Sequence, residues 1–132
     1  MNLRLRDDAI VVFEDRAERP WLRLLPRGFR HCFCALRCGT RWVVVDPLLH
    51  RLHVEFLTLP DDFPLAAFFA AAAPGRRVLC GPLGQDRPRR RRQRSCVASV
   101  KRMIRIHAPA ARTPRALYRV LRRLGWSAPT LS

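Results

Sequence analysis

"RHCFCALRCGTRWVVVDP", residues 30 to 47, places two strand-like runs on either side of a Cys-Gly-Thr connection. Runs of β-branched and aromatic residues bounded by turn formers read as strands, and so short a connection reads as a β-hairpin. With Cys38 and Gly39 as a two-residue turn, Arg37 faces Thr40, and counting outward brings His31 opposite Asp46. A three-residue turn puts Pro47 there instead, because each added residue shifts the pairing by one. On the two-residue register His31, Phe33, Ala35, Trp42, Val44 and Asp46 share one face, apolar except where the histidine and aspartate meet. Paired side chains lie roughly 5 Å apart at Cβ, near enough for a carboxylate to hold an imidazole in one tautomer.

Outward from the hairpin, residues 50 to 59 supply a further strand, and residues 76 to 81, "RRVLCG", another. The stretch "MNLRLRDDAIVVF" allows a short strand ahead of them, so the expectation is an α+β domain with an antiparallel sheet of about four strands and two or three helices. The first helix falls between Leu65 and Ala73, stopped by Pro74 and Gly75. From Ser95 the pattern turns helical, with Val97, Val100, Met103 and Ile104 on or near one face. Thr113 and Pro114 open the last helix as cap and first helical residue, and Gly125 ends it. Residues 82 to 94 read as a basic loop and 126 to 132 as a flexible tail of a single domain spanning 1 to 132.

The chain has 132 residues, enough for one ordinary core, and a formal net charge of +16. Lys101 is the only lysine, so arginine carries nearly all of that charge. Such a surface attracts polyanions, and the run at Arg89, Arg90, Arg91 and Arg92 is the natural place for nucleic acid to bind. Five cysteines without regular spacing argue against a disulfide framework and fit a reducing compartment. The charged N-terminus lacks the apolar core of a signal peptide, and the longest apolar run, residues 63 to 74, is too short to span a bilayer. The expectation is therefore a cytoplasmic protein with no membrane span.

Cys96 follows the proposed cap Ser95, which puts it in the first turn of a helix behind an arginine run. A helix N-terminus and nearby cations both lower a thiol pKa, and the thiolate is the nucleophile. The plainer reading packs Cys96 inward beside Val100 and Met103 as a small hydrophobe. His31 and a matched Asp46 supply what a nucleophilic thiol needs, a base and its orienting group. Glu55, on the next strand, is the alternative orienting residue.

The order "GFRHCFCAL…RWVVVDP", followed far downstream by "SCVASVKRMI", resembles the circularly permuted papain-like cysteine peptidases and amidases, the group related to NlpC-type cell-wall peptidases and lecithin:retinol acyltransferase. In permuted members the histidine strand precedes the cysteine helix. The resemblance, over roughly residues 28 to 124, implies Cys96 as nucleophile, His31 as general base and Asp46 as orienting residue of an enzyme that attacks an amide or ester. It implies no cofactor. "TPRALYRVLRRLG" is similar to the tail of small uncharacterised phage and prophage proteins. The departures from better-known members, no export signal and an arginine-rich loop before the cysteine, bear on the substrate. Trp42 and Arg94 are the candidate substrate-binding residues, Arg94 as part of a basic loop able to hold an anionic group; Trp42, with Phe33, either walls the site or is simply core, the commoner place for an aromatic on a hairpin face.

Two other readings compete. His31, Cys32, Cys34 and Cys38, with His50 and His53 nearby, contain soft ligands for zinc, but they lack paired C-x-x-C knuckles, and strand alternation separates His31 from Cys32 and Cys34. The expected metal set is accordingly none. An arginine-rich nucleic-acid-binding module without catalysis is the other alternative.

Overall fold

A computed structural model of the chain describes residues 8–16, 24–48, 51–85 and 95–129. The arginines at 89 to 92, Arg94 and His50 lie outside the described residues. The elements in chain order are β1 (Ala9–Glu14), β2 (His31–Cys38), β3 (Arg41–Pro47), β4 (Leu52–Thr58), α1 (Leu65–Ala72), β5 (Arg77–Gly81), α2 (Cys96–Ile104) and α3 (Pro114–Arg123). The expected α+β class holds, with one antiparallel sheet of 5 strands in the order β4-β3-β2-β1-β5.

The short run near the N-terminus becomes an interior strand. Its sequence AIVVFE is buried on both faces because helices lie on either side of the sheet. On one side Val11 and Phe13 meet α2 and α3 through Val97, Val100, Leu117 and Leu121. On the other, Ile10 and Val12 meet α1 through Leu65. β4 forms an edge beyond this cover, so Leu52, Val54 and Phe56 stay exposed.

The hairpin closes one residue further along than the sequence reading placed it. Cys38 pairs with Arg41, leaving Gly39 and Thr40 as the turn. Gly39 has φ +62°, and glycine at the first central position is the placement that a type II′ turn demands. The ladder is thereby shifted by two, a whole side-chain period, so every residue keeps its face. His31 and Asp46 become diagonal rather than direct neighbours.

Both caps form as read. Ser95 accepts from the Ala98 N–H at 3.1 Å and Thr113 from the Ala116 N–H at 3.2 Å. Arg105 ends α2 in the left-handed region at φ 59°, a role usually taken by glycine. The described start of the supposed tail is ordered differently from expectation: Trp126 is buried in the core and Ser127 bridges to Cys80, because the indole fills the space that Gly81 leaves open. A Cβ at Gly81 comes within 2.2 Å of that ring. Gly81→Ala is expected to destabilise the fold by about 1–3 kcal/mol through overpacking. Denaturant unfolding followed by tryptophan emission checks this, and an unchanged midpoint refutes the close fit.

Candidate active site

β2 begins with His31 and Cys32, consecutive residues whose side chains take opposite faces of the strand. α2 packs over β2 with its first turn at this end, and Cys96 reaches both neighbours. Its sulfur is hydrogen-bonded to the Cys32 thiol, to the Cys32 backbone and to His31. Ser95 secures the geometry by capping α2, which holds Cys96 at the first helical position.

Asp46 stands at the far side of the imidazole. Its Oδ1 lies 2.7 Å from His31 Nε2, and Arg16 Nη2 donates to both carboxylate oxygens at 2.7 and 2.8 Å. Arg16 Nη2 also comes within 2.7 Å of His31 Nε2, so Asp46 accepts from two donors that crowd one another. With Nε2–H directed at the carboxylate, Nδ1 is the ring nitrogen left to exchange a proton with Cys96. Behind this set Glu14, the strand partner of His31, pairs with Arg76 at 3.2 Å and approaches Arg16 at 3.7 Å.

The electrostatics invert the usual order of thiol and imidazole. Hydrogen bonding from Cys32 lowers the Cys96 thiol to about 5 against the opposing effect of burial, with His31 adding to the lowering. Burial alone lowers the His31 pKa, but hydrogen bonds to Asp46 and Cys96 outweigh it and raise the imidazolium to about 9. Burial raises the Asp46 pKa, yet the bonds from His31 and Arg16 leave it below the usual carboxylate range. Burial pushes the Cys32 thiol well up, and its place beside the Cys96 sulfur pushes it further, so Cys32 stays a protonated donor. Between about 5 and about 9, then, the pair exists as thiolate and imidazolium.

The structure brings Cys96, His31 and Asp46 together. Trp42 is not among them: it is buried beside α1, under the Arg37 guanidinium at 4.5 Å, and lines with Ile10, Leu65 and Cys80 a cleft of about 290 Å³. Arg94 lies outside the described residues. Glu55 faces His53 on the exposed edge strand at 3.8 Å and takes no part in orienting His31. Among the described residues no group of three or more His, Cys, Asp or Glu is placed to hold a metal. Cys34 points into the core, where burial pushes its thiol up to about 12.

Two contributors escaped the sequence reading. In the sequence Cys32 reads only as a zinc ligand, and its contact with Cys96 depends on where α2 lands. Arg16 follows β1, and only the pairing of Glu14 with His31 brings it near Asp46. No protein-family model, curated protein or solved structure matches the chain.

If Cys32 is the donor that holds the thiolate, Cys32→Ala raises the pH midpoint of Cys96 alkylation by about one unit or more, one unit being ~1.4 kcal/mol. Peptide mass spectrometry after timed alkylation reads the midpoint, and an unshifted value removes Cys32 from the site. Asp46→Asn is expected to bring the His31 pKa down from about 9 toward 6.5, since it withdraws the carboxylate that favours the charged ring. Imidazole proton shifts followed by NMR against pH test the direction.

Proposed function

We propose that the protein is a cysteine hydrolase or acyltransferase acting on an amide or ester, with Cys96 as nucleophile, His31 as general acid and base, and Asp46 as the orienting carboxylate. The observation that carries this reading is geometric: half-buried Cys96 in hydrogen-bond contact with buried His31, whose far nitrogen is backed by Asp46 at 2.7 Å, a setting that lowers the thiol pKa and raises that of the imidazolium. A cysteine serving only as a core hydrophobe has its thiol pKa raised by burial, as Cys34 does. The order of histidine strand before cysteine helix supports a likeness to permuted papain-like enzymes. An antiparallel sheet with a helix seated on the histidine strand is consistent with that likeness.

Each step can be followed by atom. The Cys96 thiolate attacks the carbonyl carbon, forming a carbon–sulfur bond and a tetrahedral oxyanion. The Cys96 backbone N–H, in the first turn of α2, is one donor to that oxyanion. The His31 imidazolium then gives its proton to the leaving nitrogen or oxygen as that bond breaks, and a thioester remains. Neutral His31 takes a proton from water or another acceptor, whose attack on the thioester expels the thiolate and restores the pair.

The sign of the pH dependence follows from the two groups. Activity falls as pH drops through about 5, where the thiolate is protonated, and again as pH rises through about 9, where the imidazolium loses the proton it must donate. In the native protein Cys96 alone among the five cysteines is expected to alkylate rapidly near pH 6, and His31→Ala to remove that advantage. A panel of activated esters and amides should leave an acyl group on Cys96, detectable by intact mass, and none on Cys96→Ser. Slow alkylation of Cys96 across the whole range would overturn the proposal.

A further inference from the structure

Charge is segregated along the chain. Asp86 is its last carboxylate side chain, so α2, α3 and the segment joining them carry cations without any acidic residue of their own. The described ion pairs hold their acids elsewhere: Glu14 and Asp46 around the Cys96 site and Glu55 on the edge strand.

α3 separates its residues by face. Pro114, Leu117 and Leu121 are buried toward the sheet, while Arg115, Arg119, Arg122 and Arg123 are exposed, as is Arg112 just before the helix. Steps of four residues align Arg115, Arg119 and Arg123 in one outward ridge of α3 about 12 Å long, and Arg112 stands exposed just ahead of the Thr113 cap. None of these four enters a described ion pair, whereas Arg122 donates to the Trp126 carbonyl at 3.1 Å. Lys101 donates to the Ala108 and Ala111 carbonyls at 2.9 and 2.8 Å, and burial together with the charge of Arg112 lowers its pKa.

We propose that the α3 ridge of Arg115, Arg119 and Arg123, together with Arg112 just ahead of the helix, docks the phosphate backbone of a nucleic acid duplex without reading its bases. Guanidinium groups suit phosphate because their fork of donors matches its oxygens. Single strands call for exposed aromatic platforms, and here the nearest ring, Tyr118, is packed edge-on against Phe13 and Phe29. A membrane surface calls for a run of apolar side chains on the presented face, and here Leu117 and Leu121 are buried in the core, leaving Leu124 at the C-terminal cap as a single exposed apolar side chain beside the ridge. The ridge does not involve Cys96, His31 or Asp46, so the proposal stands or falls apart from the hydrolase reading.

The test is fluorescence anisotropy of a labelled duplex of arbitrary sequence, titrated with the full chain at several salt concentrations. Wild type is expected to bind with log K falling linearly in log salt. Changing Arg112, Arg115, Arg119 and Arg123 together to Gln should make that slope shallower by about three and weaken binding at low salt at least tenfold. Arg115→Gln with Arg119→Gln should give roughly half the change in slope, and Cys96→Ser none. Glutamine keeps helix propensity, and circular dichroism verifies the fold. An unchanged slope and affinity in the fourfold variant would overturn the proposal, placing duplex binding elsewhere. So would wild-type capture by vesicles containing anionic phospholipid, lost in the fourfold variant while its duplex affinity is retained.

Discussion

The hydrogen-bonded contact between the Cys96 sulfur and the start of β2 is the constraint around which the site is arranged. Placing two charges in a buried setting costs several kcal/mol per ion unless each meets its partner and its remaining hydrogen bonds are satisfied. Here the thiolate receives bonds from the Cys32 thiol, the Cys32 backbone and His31, and the imidazolium is held from behind by Asp46. A group lying over the middle of a strand face meets only alternate side chains. Cys96 meets two consecutive ones, which places it at the strand's beginning, where the first turn of a helix can reach around the sheet.

That requirement explains why the supporting parts stand where they do. Ser95 stops α2 one residue before Cys96, so the helix starts where the sulfur is needed. Val97, Val100 and Ile104 anchor the rest of α2 to the core, fixing the distance from helix to sheet. On the other flank Arg16 keeps Asp46 ionised but also opposes the charge on His31, so the carboxylate and the guanidinium act on the imidazole in opposite senses. Glu14 and Arg76 extend this alternation of charges behind the site.

The same accounting of acids shapes the helical layer. Glu14 and Asp46 are committed to arginines and to His31 at one end of the sheet, and α3 has no carboxylate to offset its outward cations. Its amphipathic division is nonetheless sharp, because burial of Leu117 and Leu121 requires only one face and leaves the other free to be wholly basic. Fold and charge are therefore separate demands on α3, met by different residues.

What the sequence alone determined follows from local rules. Alternation in "HCFCALRC" and "RWVVVDP" placed His31 and Asp46 on one face, and the Ser95 and Thr113 caps marked where α2 and α3 begin. The face assignment survived a misplaced turn because the true register differs by two residues, one full strand period. Tertiary structure decided the rest. Whether Gly39 occupies the first or second turn position depends on how the ladder closes, and whether Trp126 is tail or core depends on the gap at Gly81. Cys32 and Arg16 join the site only when α2 settles on β2 and when β1 pairs beside it, contacts between distant segments that no local pattern encodes.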